Sequence, residues 1–245
     1  MKRYKLISCS IFIREISGLL YNNLNSIYPV FLDLGAHNEP EKLKRLIQEE
    51  IDKTKNENFD AILLAYGLCG NSLVGIHSEH LPLVLPKAHD CCTILLGSRN
   101  AFKKYFSDNL SASWSCNGYM ESNESHFHAS EEGKIFGLDK TYKELVEQYG
   151  KENADYLVKE VIGKINEDPL FYIDLPETSI EENITKFVAA AKKRKQEHIL
   201  LKGNMSLLKD LLKGNWSEDF LIVPPGSHIE PSYNEEIVGI SKLYN

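Results

Sequence analysis

Short apolar runs, each stopped by glycine or polar residues, set the rhythm of the first half of the chain. Ile62-Leu63-Leu64-Ala65 is one such run, broken by Tyr66-Gly67-Leu68-Cys69-Gly70-Asn71; Leu83-Val84-Leu85 is another, closed by Pro86. Runs of this length bounded by turn residues predict strands of a parallel sheet buried on both faces. The same reading predicts strands at Tyr4–Cys9, Tyr28–Asp33, Phe59–Ala65 and Leu83–Leu85. Helical spacing appears between them. Ile13, Ile16, Leu19 and Leu20 share one face of a helix over Ile11–Asn22. Leu43, Leu46, Ile47 and Ile51 line a second helix, entered through Pro40, which suits a first helical turn. A third helix is expected over Thr93–Phe106.

The second half repeats this alternation without repeating the sequence. Strands are expected at Ala112–Cys116, Leu170–Asp174, His198–Leu201 and Phe220–Val223, and helices over Lys140–Ile165, Ser179–Lys195 and the segment opened by Gly203-Asn204-Met205-Ser206. Tyr119–Gly137, rich in Ser, Asn, Glu and His, reads as a polar loop. Strand–helix alternation implies an α/β fold: a doubly wound, mainly parallel sheet or sheets with right-handed crossovers. The expected arrangement is two Rossmann-like lobes with a cleft between them, residues 1–110 forming the first and 111–245 the second, with polar loop 119–137 in the latter.

Bulk properties narrow the class. The chain has 245 residues, is 42% hydrophobic and 26% charged, and carries a formal net charge of −7. That balance is ordinary for a globular protein and argues against a nucleic-acid-binding surface. No run approaches the ~20 apolar residues that span a bilayer. The basic start Met1-Lys2-Arg3 leads into an apolar stretch interrupted by Arg14 and Glu15, which reads as strand and helix and not as a signal peptide. The five cysteines are an odd number at irregular spacing, the usage expected of reduced thiols in the cytoplasm.

Chemistry concentrates where the predicted strands end. Cys9, Cys69, His89 and Cys91 all lie at or just after such ends. Ligands of open α/β sheets bind at the carboxyl ends of the strands, and neighbouring strands lie ~5 Å apart, so these side chains can converge. Thiolates and imidazole are what soft and borderline metals select. Zinc is the first cofactor expected of this set; a [4Fe-4S] cluster on the three cysteines is the alternative. A metal-free reading makes Cys69 or Cys91 a nucleophile, with His89 as its base and Asp90 orienting the imidazole. Gly67, Gly70 and Gly97-Ser98 are candidates to cradle an anion through backbone amides. Arg14 and Glu15 follow Cys9 by about a turn and are either support behind the site or a surface pair. Cys92 reads as core, Cys116 as a strand cysteine, and His126 and His128 as residues of the polar loop.

These residues carry a family resemblance. Tyr66-Gly67-Leu68-Cys69-Gly70-Asn71, then Ala88-His89-Asp90-Cys91 with Leu96-Gly97-Ser98, resembles the prokaryotic domain of unknown function 1638 family. Cys9 with Arg14-Glu15, Gly203-Asn204-Met205-Ser206-Leu207-Leu208 and Phe220–Gly226 look like it too. The resemblance implies cysteine at the positions of Cys9, Cys69 and Cys91 and histidine at His89. Asn71, Lys87 and Ser98, with Arg14, Gly67 and Gly70, are the candidate substrate contacts. Lys87 stands where arginine is usual, and Ser113–Tyr119 replaces a more Pro-Gly-Trp-like segment. What the resemblance implies is a context of anaerobic one-carbon or methyl-group metabolism, with a small-molecule substrate and a corrinoid, corrinoid protein or methyltransferase as partner. His89-Asp90-Cys91 also has the His-x-Cys form of zinc thiol methyltransferases, which are barrels. The expected function is therefore a metal-dependent enzyme of that metabolism. The alternatives are an iron–sulfur lyase or desulfidase and a non-catalytic accessory protein.

Overall fold

The computed structural model describes residues 1–107, 112–122, 142–162, 169–232 and 236–242. In chain order its elements begin with β1 (Arg3–Cys9), α1 (Ile13–Leu20), β2 (Ser26–Leu32), α2 (Pro40–Asp52), β3 (Ala61–Ala65), β4 (His77–Ser78) and β5 (Leu83–Pro86). They continue with α3 (Cys91–Leu96), α4 (Arg99–Phe106), β6 (Trp114–Ser115), α5 (Asn117–Glu121), α6 (Tyr142–Tyr149), α7 (Lys151–Tyr156) and β7 (Leu170–Asp174). The last are α8 (Glu181–Arg194), β8 (His198–Lys202), α9 (Ser206–Lys213), β9 (Phe220–Val223), β10 (Ser227–Pro231) and β11 (Val238–Lys242). Short 3-10 turns at Ser10–Phe12, Leu34–Asn38 and Lys53–Asn56 flank the first helices. The protein is thus mixed α/β with a mainly parallel five-stranded sheet.

The chain divides into two compact units. The first comprises Met1–Lys103, Leu175–Thr178 and Gly203–Asn245; the second comprises Lys104–Asp174 and Ser179–Lys202. Residues 203–245, expected in the second lobe, fall in the first unit, because β9 pairs with β5 along Leu83↔Val223 to Pro86↔Phe220. That pairing is antiparallel and caps an otherwise parallel sheet. Of the polar stretch 119–137, residues 119–121 close α5; 123–137, with His126 and His128, lie outside the described residues.

In the first unit the sheet order is β2-β1-β3-β5-β9. β3 is apolar throughout because it is central and buried on both faces. β2 sits at the edge, where Pro29 withholds no needed ladder donor. Leu43, Ile47 and Ile51 recur every four residues, so α2 buries one stripe. Leu207, Leu208, Leu211 and Leu212 do the same for α9, which packs on β3 and β5. Each such side chain stabilises the fold by roughly 1.5–3 kcal/mol. The winding starts at β1, moves to β2, then returns past β1 to β3. The reversal falls between β1 and β3, the place where open α/β sheets form a crevice at the strand carboxyl ends. A small antiparallel sheet, β11-β10-β4, completes this unit.

In the second unit β6, β7 and β8 form a parallel sheet in that order. Met120, Leu170, Tyr172, Phe187 and Ala191 form a core cluster there, so α5 and α8 cover β7. The helical stretch expected over Lys140–Ile165, with its apolar stripe broken near Gly150, divides there: Gly150 adopts φ +78° between α6 and α7, and residues 140–141 and 163–165 lie outside the described residues. Among the described residues no helix is long and apolar enough to cross a membrane.

Candidate functional site

Three parallel strands deliver the site. β1 ends at Cys9, and its neighbour β3 runs on as Tyr66–Asn71, with Ser8 in register with Ala65. Beyond the strands proper, the β3 and β5 extensions stay hydrogen-bonded: Leu68 N donates to Ala88 O and Cys69 N to His89 O, both at 2.9 Å. Cys69 is thereby held beside the segment that leads to Cys91. Gly67 makes this possible. A Cβ there would lie 2.5, 2.6 and 2.8 Å from the backbone N, Cα and C of Asp90. Only glycine allows the two backbones to approach so closely.

The turn after Gly67 is unusual. Cys69, Gly70 and Asn71 have φ of +44°, +63° and +66°, three successive left-handed residues. Asn tolerates that region; a cysteine there costs roughly 1–2 kcal/mol. The turn is pinned by Ser72 N to Cys69 O at 3.3 Å and Val74 N to Asn71 O at 3.0 Å. Local strain that the surroundings enforce marks functional segments.

On the facing segment, Asp90 caps α3. Its Oδ1 accepts from Thr93 N at 3.0 Å and Thr93 Oγ1 at 3.1 Å. The helix therefore begins at Cys91, two residues before the expected start, and Asp90's carboxylate is occupied as a cap. It ends at Gly97, whose φ of +80° splits the expected Thr93–Phe106 helix into α3 and α4. Ser206 Oγ donates to Gly97 O at 2.9 Å, fastening this turn to the start of α9.

The outcome is a thiol trio. Cys91 Sγ lies within hydrogen-bonding reach of Cys69 and Cys9, and their proximity together with burial raises its pKa well above that of an ordinary thiol. Cys9 is buried; Cys69 and Cys91 are half-buried. A thiol so shifted keeps its proton, the reverse of an activated nucleophile. Tyr66 joins them. It is 2% exposed, and its hydroxyl has no hydrogen-bond partner among the described residues. Burial raises its pKa, and proximity to Cys9, Cys91 and Cys69 adds to the shift. Tyr66 is absent from the sequence-derived candidates because it closes an apolar run. Its signal is position: it stands at a strand end beside two others that carry cysteine.

The remaining candidates are placed differently. His89 is an exposed residue whose ring lies 5.7 Å, centroid to centroid, from Phe102. Partial burial of the ring lowers its pKa, with Asp90 opposing and Lys103 adding to the effect. Lys87 pairs with Glu236, and Arg99 reaches Asp219 at 3.4 Å and Glu236 at 3.8 Å. Ser98 Oγ accepts from Ala101 N at 3.1 Å and so caps α4. Ser98 and Arg99, with Asn100 and Asp219, help to line a cavity of about 240 Å³. Arg14 is exposed on α1, whereas its neighbour Glu15 is buried and accepts from Thr178 Oγ1 at 3.0 Å. Gly67 is committed to Asp90, while Gly70 and Asn71 are exposed on the left-handed turn. Cys92 is fully buried and Cys116 is buried in the second unit.

Among the described residues no group of three or more His, Cys, Asp or Glu side chains is arranged so as to hold a metal ion. Cys91 lies near both Cys69 and Cys9. Sulfur is the donor that thiophilic metals and clusters select, but these side chains are not arranged to hold an ion.

An α/β protein with a thiol trio where its sheet reverses winding is the class that fold and site define. The chain belongs to the family described as protein of unknown function, DUF1638, whose sequence pattern matches residues 31–212. Cys69, His89 and Cys91 lie inside the matched span and Cys9 precedes it. No curated protein and no solved structure matches the chain.

Proposed function

We propose that this protein is a metal-dependent enzyme of one-carbon or methyl-group metabolism, with Cys9, Cys69 and Cys91 as the protein ligands and zinc as the metal. The observation that supports it is the convergence of these thiols at the reversal of winding. Three protein ligands leave a position for a substrate or water, the pattern of catalytic zinc. Zinc held there would supply Lewis acidity, lowering the pKa of a thiol or water in the open position. The chain's own contributions are separate. Cys9, Cys69 and Cys91 would hold the ion as thiolates, their protons passing to solvent. The Gly67–Asp90 contact and the cap on α3 hold Cys69 and Cys91 at a fixed separation. His89, next to the Asp90 cap, would be the fourth ligand or the acid or base; metal loss in His89→Ala marks the former, and metal retained with activity lost the latter.

A second reading, an iron–sulfur lyase or desulfidase, draws on the three cysteines, with His89 as acid or base. Three cysteines hold a [4Fe-4S] cluster while leaving one iron open. Metal analysis of protein purified without oxygen separates the two: stoichiometric zinc in a colourless protein supports the first, a brown iron-containing protein the second, and neither metal rejects both. Serine at Cys9, Cys69 or Cys91 is expected to remove most of the metal, and Cys92→Ser to retain it. The link to a corrinoid protein or methyltransferase comes from family context; pull-down from an anaerobic extract with and without cobalamin tests it, and recovery of neither counts against it.

A further inference from the structure

The cavity of about 240 Å³ at the start of α4 is lined by charged and polar side chains. Arg99 and Lys103 come from α4, Glu218 and Asp219 from the loop before β9, and Glu236 from the turn before β11. All belong to the first unit. The cavity lies by the carboxyl end of β5, where Lys87 follows Pro86 and its backbone N donates to Asp219 O at 2.8 Å. Open α/β sheets take their ligands at that end. One carboxylate bridges two cations here: Glu236 Oε2 pairs with Lys87 Nζ, and Glu236 Oε1 lies 3.8 Å from Arg99 Nη1. The cations are shielded, with side chains 13% and 21% exposed, whereas Glu236 is 51% exposed. Two shielded cations that face one place repel each other unless an anion sits between them. Arg99 also reaches Asp219 at 3.4 Å. Both Arg99 distances exceed the roughly 2.7–2.9 Å of a close charge-assisted hydrogen bond, so its planar fork grips neither carboxylate closely. The end of α4 is not what recognises an anion, because Ser98 Oγ already accepts from Ala101 N.

We propose that this cavity binds a small monocarboxylate, which takes the place of the Glu236 side chain between Lys87 and Arg99. The Glu236 carboxylate shows the chemistry that the two cations select, and its exposure makes it the member that can leave. Charge agrees. Lys87, Arg99 and Lys103 stand against Glu218, Asp219 and Glu236, so withdrawing Glu236 leaves one positive charge in excess, which one ligand carboxylate restores. Glu218 and Asp219 oppose any further negative charge on the ligand, which disfavours a phosphate. Size agrees as well: the volume falls below the roughly 300–1,000 Å³ of pockets for drug-sized ligands, the scale of a small metabolite. The inference is independent of the metal reading and uses none of the three cysteines.

Full-length wild type, Glu236→Gln and Arg99→Gln, titrated with lactate and separately with inorganic phosphate, test this. Phenanthroline, an uncharged chelator, keeps the outcome independent of any metal, and binding is read from amide resonance shifts. Wild type is expected to bind lactate, Glu236→Gln to bind it about fivefold tighter, the strength of one exposed ion pair released, and Arg99→Gln at least about tenfold weaker. Lactate should also quicken amide exchange at Val238, whose N–H donates to Glu236 O at 2.7 Å, as the turn comes free of Lys87. Absence of lactate binding by Glu236→Gln overturns the proposal. Equal lactate affinity in Glu236→Gln and wild type does so too, because Glu236 then competes with nothing. Phosphate bound more tightly than lactate overturns the ligand class. Lactate binding that Arg99→Gln leaves unchanged is adventitious and rejects the site. If Arg99→Gln does not fold, exchange in wild type decides: slower or unchanged exchange at Val238 under saturating lactate means that Glu236 is not displaced, and rejects the proposal.

Discussion

Gly67 is where one missing methyl group decides the site. Its backbone lies against Asp90 so closely that a Cβ would sit 2.5–2.8 Å from three backbone atoms. Backbone cannot swing aside as a side chain can, so relief requires the β3 and β5 extensions to part. Gly67→Ala is therefore expected to cost about 3 kcal/mol, the upper end of overpacking penalties, in urea denaturation, and to lower metal content by loosening Cys69 from Cys91. Gly18 is the internal control. It lies in α1, where an added Cβ would meet nothing within 4 Å. Gly18→Ala should stabilise by about 0.5–1 kcal/mol. Equal behaviour of the two variants would show that close approach at Gly67 is not what restricts it.

At the scale of elements, strands and helices are joined by a few polar contacts that fix register. Glu50 on α2 pairs with Lys5 of β1 at 3.5 Å and with Lys53. Burial would raise its pKa, but the two lysines outweigh that and hold it below the usual glutamate value of 4.5. A depressed carboxylate contributes stability above its unfolded pKa and loses it as pH falls through the folded one. Glu50→Gln should thus be less stable than wild type at neutral pH, and the gap should close as pH falls below the usual glutamate value; a gap constant with pH in chemical denaturation would refute this. In the second unit Asn117 Oδ1 accepts from Tyr172 OH at 2.7 Å and Asn183 Nδ2 at 3.1 Å, joining the start of α5 to β7 and α8. Asn117→Ala leaves two buried donors unmatched and is expected to cost about 2–4 kcal/mol, read as a lower denaturation midpoint, whereas Tyr172→Phe should cost less. The sequence makes some elements readable and hides others for physical reasons. β1, β3 and β5 are apolar runs stopped by polar residues, so their carboxyl ends, and the cysteines on them, stand out. His77-Ser78 and Ser227–Pro231 are short and polar, with no alternation to mark β4 and β10. β9 reads as a buried strand, but no local signal says that it joins β5 across more than a hundred residues. Tyr66 is hidden by the hydrophobic run it ends.

Taken as a whole molecule, the chain draws its trio from residues 9, 69 and 91, all in the first unit, while the second unit contributes its own sheet and core. A ligand that binds only the native state stabilises it by an amount set by concentration over Kd, about 2.7 kcal/mol at a hundredfold excess. Because three strands must be in place together before the sulfurs meet, that stabilisation belongs to the first unit's sheet and its extensions. Amide hydrogen exchange of metal-free and zinc-loaded protein gives the spatial test. If the proposed metal binds, loading is expected to slow exchange most at the end of β1, over Tyr66–Ser72 and over Lys87–Gly97, the segments that carry the proposed ligands and their supporting turns. Peptides from β7 and α8 should change little, since they supply none of the trio. Cys69→Ser should abolish the effect in all three segments at once, because a shared centre cannot protect one ligand segment alone. Protection confined to a single segment would mean that zinc binds one cysteine adventitiously. Protection that survives Cys69→Ser would place the metal elsewhere in the chain.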